Sequence, residues 1–421
     1  MTVIGIDDTD SRELGMCTTY VAARLAARIQ REGGYVERVL LVRLNPAVEH
    51  KTRGNAALAI HCDTDSGRAY ALADEALGRA ATADDRTNPG LVVAPSDPAD
   101  VPASVADFAG TAVRSHLDRE TASERCADAG FRTATRGNGR GVIGALGAVG
   151  AWRAFEEWTY ELVSYRERER WGTPRTVDVE SLFAAAEARY PGAWDTVDRG
   201  EGEAVCVPRT PCPILHGIRG DDPEAVRAVA EAIESEPVTD RRLFVTNQGT
   251  DAHLQPGRIG DLRDGHAYRV TGTVAEPPAT REGGHVFATL ADDGETLPVA
   301  AFEPTKRFRG RVRLLRVGDR ITACGEVSSG TLKLEKFAVR ELQRTERVTP
   351  DCPDCGQSMK SAGSNAGYRC RDCSTRAEGK VQRPVERGLT EGWYEVPPCA
   401  RRHIAKPLVR GGFDAPTHPE R

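Results

Sequence analysis

Lysine is scarce in this 421-residue chain, supplying only seven of 57 basic residues, and aromatic side chains make up just 6%. Methionine occurs three times. No apolar run approaches the ~20 residues that a spanning helix needs, so a helical membrane protein is excluded. The chain opens with Met-Thr-Val-Ile-Gly-Ile-Asp-Asp, a strand-like start with no leader pattern, and a cytoplasmic product is expected. Walker A, protein-kinase and Rossmann signatures are all missing, so any nucleotide site must be of an unusual kind. Eleven cysteines are present without export signals, which argues against a disulfide framework. Seven are scattered, as small buried hydrophobes would be; the other four form a pattern taken up below.

What is present is unevenly distributed. Residues 1–259 hold 30 Lys/Arg against 40 Asp/Glu, whereas residues 260–421 hold 27 against 22. An acidic half joined to a basic half suggests a cationic partner for the first and an anionic one for the second. Two ordinary solvated surfaces, or adaptation to salt, would produce the same counts.

The length predicts several domains. Residues 1–156 alternate strand-like and helix-like stretches: a strand Thr2–Ile6, a helix from Thr18 with Val21, Leu25 and Ile29 on one face, and strands Val36–Leu44 and Ala56–His61. A helix Gly67–Ala80 and a strand around Leu91–Val93 complete this α/β unit. Residues 157–257 read as strand Thr159–Tyr165, helix Glu180–Tyr190, strand Thr196–Val207, strand Cys212–Arg219, helix Pro223–Ser235 and strand Arg242–Asn247. That is the β-α-β-β-α-β order of a ferredoxin-like unit. Residues 258–346 alternate as five strands, with Phe308, Val312 and Leu315 forming a helical stripe after the third, the order of an OB-fold β-barrel. Residues 347–421 are expected to be a zinc ribbon with a basic tail.

Four segments carry chemistry. Cys352-Pro-Asp-Cys355 and Cys370-Arg-Asp-Cys373 are two CxxC knuckles that complete a closed, structural Zn²⁺ shell. Asp7, Asp8 and Asp10, with Thr9 and Ser11 between and beside them, follow the first strand and precede a helix start near Thr18. This suits Mg²⁺ and the phosphates of ATP, or else a solvated turn capped by Thr18. Arg136-Gly137-Asn138-Gly139 opens a second, Gly-rich loop able to wrap phosphate, and Lys51–Asn55 shares its Thr-Arg-Gly-Asn tetrapeptide. Six basic residues and no acidic one lie between Lys306 and Arg316. Phe302, Lys306, Arg307 and Arg309, with Arg401, Arg402 and Lys406 of the tail, are the expected nucleic-acid contacts. The alternative is that these arginines are the solvated side of an amphipathic helix.

Together the strings GIDDTDS…GMCTT, RGNGRGVIGAL, CPILHGIRG, TNQGTDAHL, AFEPTKRFR, the four-cysteine ribbon and EVPP…ARRHIAKPL resemble the archaeal tRNA(Ile) 2-agmatinylcytidine synthetases, over nearly the whole chain. The resemblance implies a kinase-like domain, a ferredoxin-like domain, an OB-fold and a zinc ribbon. It also implies an ATP-dependent carbon–nitrogen ligase acting on the CAU-anticodon isoleucine tRNA. In that family ATP phosphorylates the C2 carbonyl oxygen of the wobble cytidine and agmatine displaces it, with AMP and phosphate among the products. Carried over by position, Asp7, Asp8 and Asp10 match the acidic ATP/Mg²⁺ motif, and Thr18 matches the threonine that the family phosphorylates. Agmatine is expected near Gly144–Gly150 or Cys212–Arg219. Two readings compete: a non-catalytic OB-fold/zinc-ribbon protein that binds single-stranded nucleic acid, and a small-molecule kinase. Neither uses both the acidic loop and the basic half.

Overall fold

A computed structural model of the protein describes residues 1–11, 15–51, 54–79, 84–364 and 366–421. Parts of the acidic motif (Arg12–Leu14) and of the Lys51–Asn55 loop (Thr52 and Arg53) lie outside them. So does Ala80, the expected end of the second helix.

Apolar runs bounded by turns set the first sheet. β1 (Thr2–Asp7) is buried along its apolar length and pairs antiparallel with β3 (Ala56–Cys62) on one side and β4 (Gly90–Ala94) on the other. β2 (Val36–Arg43) and β5 (Arg132–Thr135) extend it outward. α1 (Thr18–Arg31) and α2 (Ser66–Leu77) cover one face; α1 buries Val21, Leu25 and Ile29, the stripe read from their spacing. α3 (Ala103–Arg114), α4 (Arg119–Asp128) and α5 (Gly141–Ala154) cover the other. α5 is buried nearly all round, and glycines on both the helix and the strands let it lie directly on the sheet. A Cβ on Gly5 would come 2.1 Å from the Ala145 carbonyl oxygen, and one on Gly90 would come 2.1 Å from the Gly141 carbonyl carbon.

The next unit joins the same sheet. β6 (Thr159–Arg166), α6 (Val179–Arg189), β7 (Ala193–Trp194), a small hairpin of β8 (Val197–Asp198) and β9 (Glu203–Ala204), β10 (Ile214–Gly220), α7 (Pro223–Ala232) and β11 (Val238–Thr246) follow in order. The strand order β11-β6-β10-β7 is that of a ferredoxin-like unit, and β11 runs parallel to β2, giving one nine-stranded sheet. The long strand expected at Thr196–Val207 does not form. Asp198-Arg-Gly-Glu-Gly202 turns the chain, with Gly202 in the left-handed region, and only Ala193–Trp194 pairs with β10.

β12 (Leu254–Pro256) leads into a ring formed by β13 (Ala267–Thr280), β14 (Val286–Asp292), β15 (Glu295–Ala301), β16 (Arg320–Ser328) and β17 (Thr331–Glu341). The pairings β13-β14, β14-β15, β15-β17, β17-β16 and β16-β13 close it. α8 (Phe308–Arg313) lies between the third and fourth strands and packs Phe308 and Val312 into the barrel core. It is shorter than the expected helical stretch, because Pro304 sits in a preceding 3₁₀ turn and Lys306 adopts φ +50°. β18 (Thr345–Val348) and β22 (Val381–Pro384) form a two-stranded stalk. Between them β19 (Lys360–Ser361), β20 (Tyr368–Arg369) and β21 (Arg376–Ala377) make the cysteine-bearing ribbon. The tail then leaves the ribbon: β23 (Gly392–Glu395) pairs with barrel strand β17, and β24 (Thr417–His418) pairs with β23.

Candidate active site and its neighbours

The acidic loop begins where β1 ends. Asp8 adopts φ +55°, a conformation that Asp tolerates better than most residues. Its Oδ2 accepts a 2.8 Å hydrogen bond from Arg140 Nε at the start of α5. Asp10 Oδ1 accepts from both the backbone N–H (2.5 Å) and the hydroxyl (2.9 Å) of Thr18. Asp10 thus satisfies an orphan donor at the start of α1, where Cys17 offers no side-chain cap. Thr9 Oγ1 donates to the Thr18 hydroxyl at 3.0 Å, and Ser11 Oγ donates to Asp84. Thr9 and Ser11 are fully buried and brace the loop from within.

Burial holds the Asp7 carboxyl well above its usual value, with the charges of Asp8 and Asp10 adding to the effect. Asp8 is pushed up to about 6, mainly by burial and against the pull of Arg140. Asp7, Asp8, Asp10, Thr18, Arg140 and Gly144 line one cavity of about 680 Å³. Lys51, Arg119 and His116 add basic groups to its wall, and Asp264 and Glu326 of the barrel close one side. The three loop carboxylates do not converge as a ready-made ligand set; among the described residues only the four cysteines do. Mg²⁺ commonly takes one or two carboxylates and completes its shell with phosphates and water, and a cation bound here would offset the burial that disfavours their ionised form.

The Gly-rich loop is built differently from its expected role. Gly137 and Gly139 both take positive φ. Asn88 Oδ1 holds the Asn138 backbone N–H at 2.8 Å, and the Asn138 side chain in turn accepts from the Arg140 backbone N–H. Arg136 reaches away to Asp74 of α2 at 2.7 Å. None of Arg136, Gly137, Asn138 and Gly139 is among the cavity-lining residues; Arg140, the next residue, is. Its position immediately before the apolar run of α5 is the one sequence signal for it.

The four cysteine sulfurs lie within 4.8 Å of one another, and Cys355 Sγ is 3.6 Å from Cys370 Sγ. Cys352 and Cys370 are buried and Cys355 and Cys373 exposed. Four thiolates at this spacing fit a tetrahedral Zn²⁺ shell.

The expected RNA contacts are scattered among different surroundings. Phe302 meets His285 and Phe287 edge-on, and Arg281 lies 4.1 Å over the Phe287 ring. Lys306 stands at the turn before α8. Arg309 donates to the Gly284 carbonyl (2.7 Å) and to that of Lys306. Arg307 pairs with Asp198 (2.9 Å), Glu201 and Glu420. The Arg401 side chain is only 5% exposed, held between Asp195 and Glu395. Arg402 pairs with Glu326 and Glu335, and Lys406 with Glu157. In this arrangement Arg307 and Arg401 stitch the ferredoxin-like unit to the barrel and tail, and only part of the set faces outward.

Comparison with known proteins follows the same divisions. Family models match residues 3–74 as the TiaS TCKD domain, 139–253 as the TiaS FLD domain and 349–389 as the TiaS C-terminal zinc ribbon domain. The chain is 52% identical over 462 residues to the isoleucine-tRNA 2-agmatinylcytidine synthetase TiaS of Haloquadratum walsbyi, with 100% of each covered. It superposes on the solved complex of TiaS with its isoleucine tRNA and ATP with a TM-score of 0.89 at 40% identity, covering 100% of this chain and 99% of that one. For the complex of TiaS with the same tRNA, AMPCPP and agmatine the TM-score is 0.87 at 38% identity, covering 100% and 99%. A likeness of this extent leaves one conclusion: the chain belongs to the TiaS family of isoleucine-tRNA 2-agmatinylcytidine synthetases.

Proposed function

We propose that the protein is an ATP-dependent carbon–nitrogen ligase that joins agmatine to C2 of the wobble cytidine of the CAU-anticodon isoleucine tRNA. The observation that carries this reading is the cavity where Asp7, Asp8, Thr18 and Arg140 meet the barrel residues Asp264 and Glu326. A nucleic-acid-binding module alone has no use for a cavity lined by buried carboxylates beside a helix start, whereas phosphoryl transfer uses carboxylates to hold Mg²⁺ and to take a proton.

The C2 carbonyl is a poor electrophile until its oxygen becomes a phosphate leaving group. Asp7 and Asp8 would hold Mg²⁺, which when bound neutralises charge on the transferring phosphate. Arg140 fixes Asp8 and adds positive charge at the same wall. Asp10 orients the Thr18 hydroxyl and can take its proton, which suits Thr18 as a phosphoryl acceptor. Thr9, Ser11 and the Arg136–Gly139 loop support the site by holding the acidic loop and the start of α5.

Residues 1–156 act as the catalytic unit, 157–257 as the ferredoxin-like unit, 258–346 as the OB-type barrel and 347–421 as ribbon and tail. The Phe302–Phe287–His285 group with Arg281 and Arg309 forms a stacking and basic platform for RNA. Zn²⁺ in the cysteine shell holds the ribbon. Among the described residues no helix is long and apolar enough to cross a membrane, and a cytoplasmic enzyme fits this reading.

The test supplies ATP, agmatine and unmodified CAU-anticodon transcript to the purified protein, followed by nucleoside mass analysis. Agmatine-bearing cytidine, formed only with all three present, is the expected product. Folded protein that yields no modified cytidine overturns the reading.

A further inference from the structure

A second cleft, of about 470 Å³, adjoins the catalytic cavity and shares Ala47, Lys51, Glu326 and Ser328 with it. Its lining is cationic: Arg43, Lys51, Arg219, Lys333, Arg401 and Arg402 face a single carboxylate, Glu326, among the described residues. Carboxylates stand behind these groups. Glu161 is shared by Arg43 (3.3 Å) and Arg219 (3.6 Å), so two guanidiniums have one counter-charge. The Arg219 contact exceeds hydrogen-bond length, and its Nε is a buried donor with no hydrogen-bond partner. His403 Nε2 on the same wall is also buried and unpartnered. Burial, and then the neighbouring His253, Arg43, Arg402 and Arg219, hold the His403 ring well below its usual value.

We propose that this cleft is a phosphate-binding site that seats a phosphodiester of the RNA strand beside the nucleotide under reaction. The buried, unpartnered Nε of Arg219 and the two guanidiniums, Arg43 and Arg219, that share Glu161 call for an anion with several acceptor oxygens; Arg401 and Arg402 already have carboxylate partners. A dication such as agmatine is repelled by the same wall. A nucleotide placed in the catalytic cavity has a flanking phosphate, and the shared residues make this cleft the cavity's immediate neighbour. The inference rests on the RNA-modifying reading above. Phosphate released by the reaction carries the same chemistry, so the experiment distinguishes the two sources.

The test compares the full-length protein with Arg219→Gln, Lys333→Ala and Arg219→Lys, measuring tRNA affinity over a salt series and inhibition by inorganic phosphate. Removing one phosphate contact reduces the slope of log K against log [salt] by roughly 0.7 to 0.9. Arg219→Gln is therefore expected to flatten the slope by that amount and to weaken tRNA binding about tenfold, with ATP affinity unchanged. Arg219→Lys keeps the charge and should keep the slope. Lys333 is 34% exposed on the barrel, so Lys333→Ala gives the same readout should Arg219→Gln fail to fold. Unchanged slopes in both neutral variants overturn the proposal. So does an unchanged slope with lost inhibition by inorganic phosphate, which would assign the cleft to a released product. If wild type binds tRNA but modifies no cytidine, the enzymatic reading falls while the slopes still decide the phosphate site.

Discussion

Oδ2 of Asp7 fills the space in which a side chain on Gly144 would begin: a Cβ there would lie 1.9 Å from it. The acidic loop and the Gly-rich helix are therefore one unit: Gly144 leaves room for the Asp7 carboxylate, as Gly5 of β1 leaves room for Ala145 and Val149. Gly144→Ala must displace Asp7 or push α5 outward. A displacement of about 1 Å can cost ~10²-fold in rate, and that loss is expected in ATP turnover. Alanine also favours a helix by up to ~1 kcal/mol over glycine, so thermal stability should fall less than activity. Full turnover in the variant would mean that the Asp7 position is unimportant.

Asp10 and Thr18 separate a structural role from a chemical one. Both the Thr18 backbone N–H and its hydroxyl donate to Asp10, so Thr18→Ala keeps the first bond and loses the second. If the hydroxyl receives a phosphoryl group, Thr18→Ala should lose at least ~100-fold in rate at nearly unchanged stability, with Thr18→Ser retaining activity. Asp10→Ala should in addition lose about 1 kcal/mol of stability with the cap. A Thr18→Ala enzyme at full rate would leave Thr18 as a helix-start residue only.

Much of this site is legible in the sequence because its signals are local. The acidic loop, the start of α1 at Thr18 and the CxxC pairs are contiguous strings whose spacing carries the chemistry. What is not legible is long-range. The parallel seam between β2 and β11 joins residues about two hundred positions apart, and no periodicity announces it. Arg307 and Arg401 look like free positive charge in sequence, but their carboxylate partners include residues more than a hundred positions away. The strand expected at Thr196–Val207 fails because Gly200 and Gly202 outweigh its flanking apolar residues. Arg140 is inconspicuous beside the glycines it follows, because its aim toward Asp8 depends on how α5 packs.

Burial raises both Asp7 and Asp8, and the pH interval of the response is defined for Asp8. Its folded value, about 6, lies above the ordinary carboxylate value, so without a bound cation folding favours the protonated form. The stabilising contribution, up to ~3 kcal/mol, is complete below about pH 4 and lost as pH rises through 6. A divalent cation needs the ionised form, so Mg²⁺–ATP binding should strengthen across the same interval and release protons. Unfolding midpoints against pH, with and without Mg²⁺–ATP, should converge below pH 5 and separate above it. Equal separation at every pH would remove Asp8 from the cation site.

Arg307 gives a prediction opposite to the one its sequence neighbourhood suggests. It faces Asp198, which is fully buried, together with Glu201 and Glu420. Arg307→Ala leaves Asp198 without its guanidinium and is expected to cost roughly 1–3 kcal/mol, visible as a lower melting temperature. The salt slope of tRNA binding should hardly change, because the arginine is already neutralised. A flattened slope at unchanged stability would return Arg307 to the RNA surface.

The ribbon should depend on its metal more than any other part of the molecule. Among the described residues its apolar core is Cys352, Met359 and Cys370, with Tyr368 and Ala377 packed against them. At ~1.5–3 kcal/mol for a fully buried apolar side chain, such a core cannot offset the ~1–2 kcal/mol per residue needed to order the segment 349–389. Metal–thiolate bonding has to make up the difference. Chelation, or Cys355→Ser, is therefore expected to raise amide exchange across residues 349–389 while the nine-stranded sheet stays protected. Because the stalk β18–β22 separates the ribbon from the barrel, ATP binding should survive and tRNA affinity should fall. Persistent protection of the ribbon after elemental analysis shows the metal gone would mean that its hairpins are held by something other than the four thiolates.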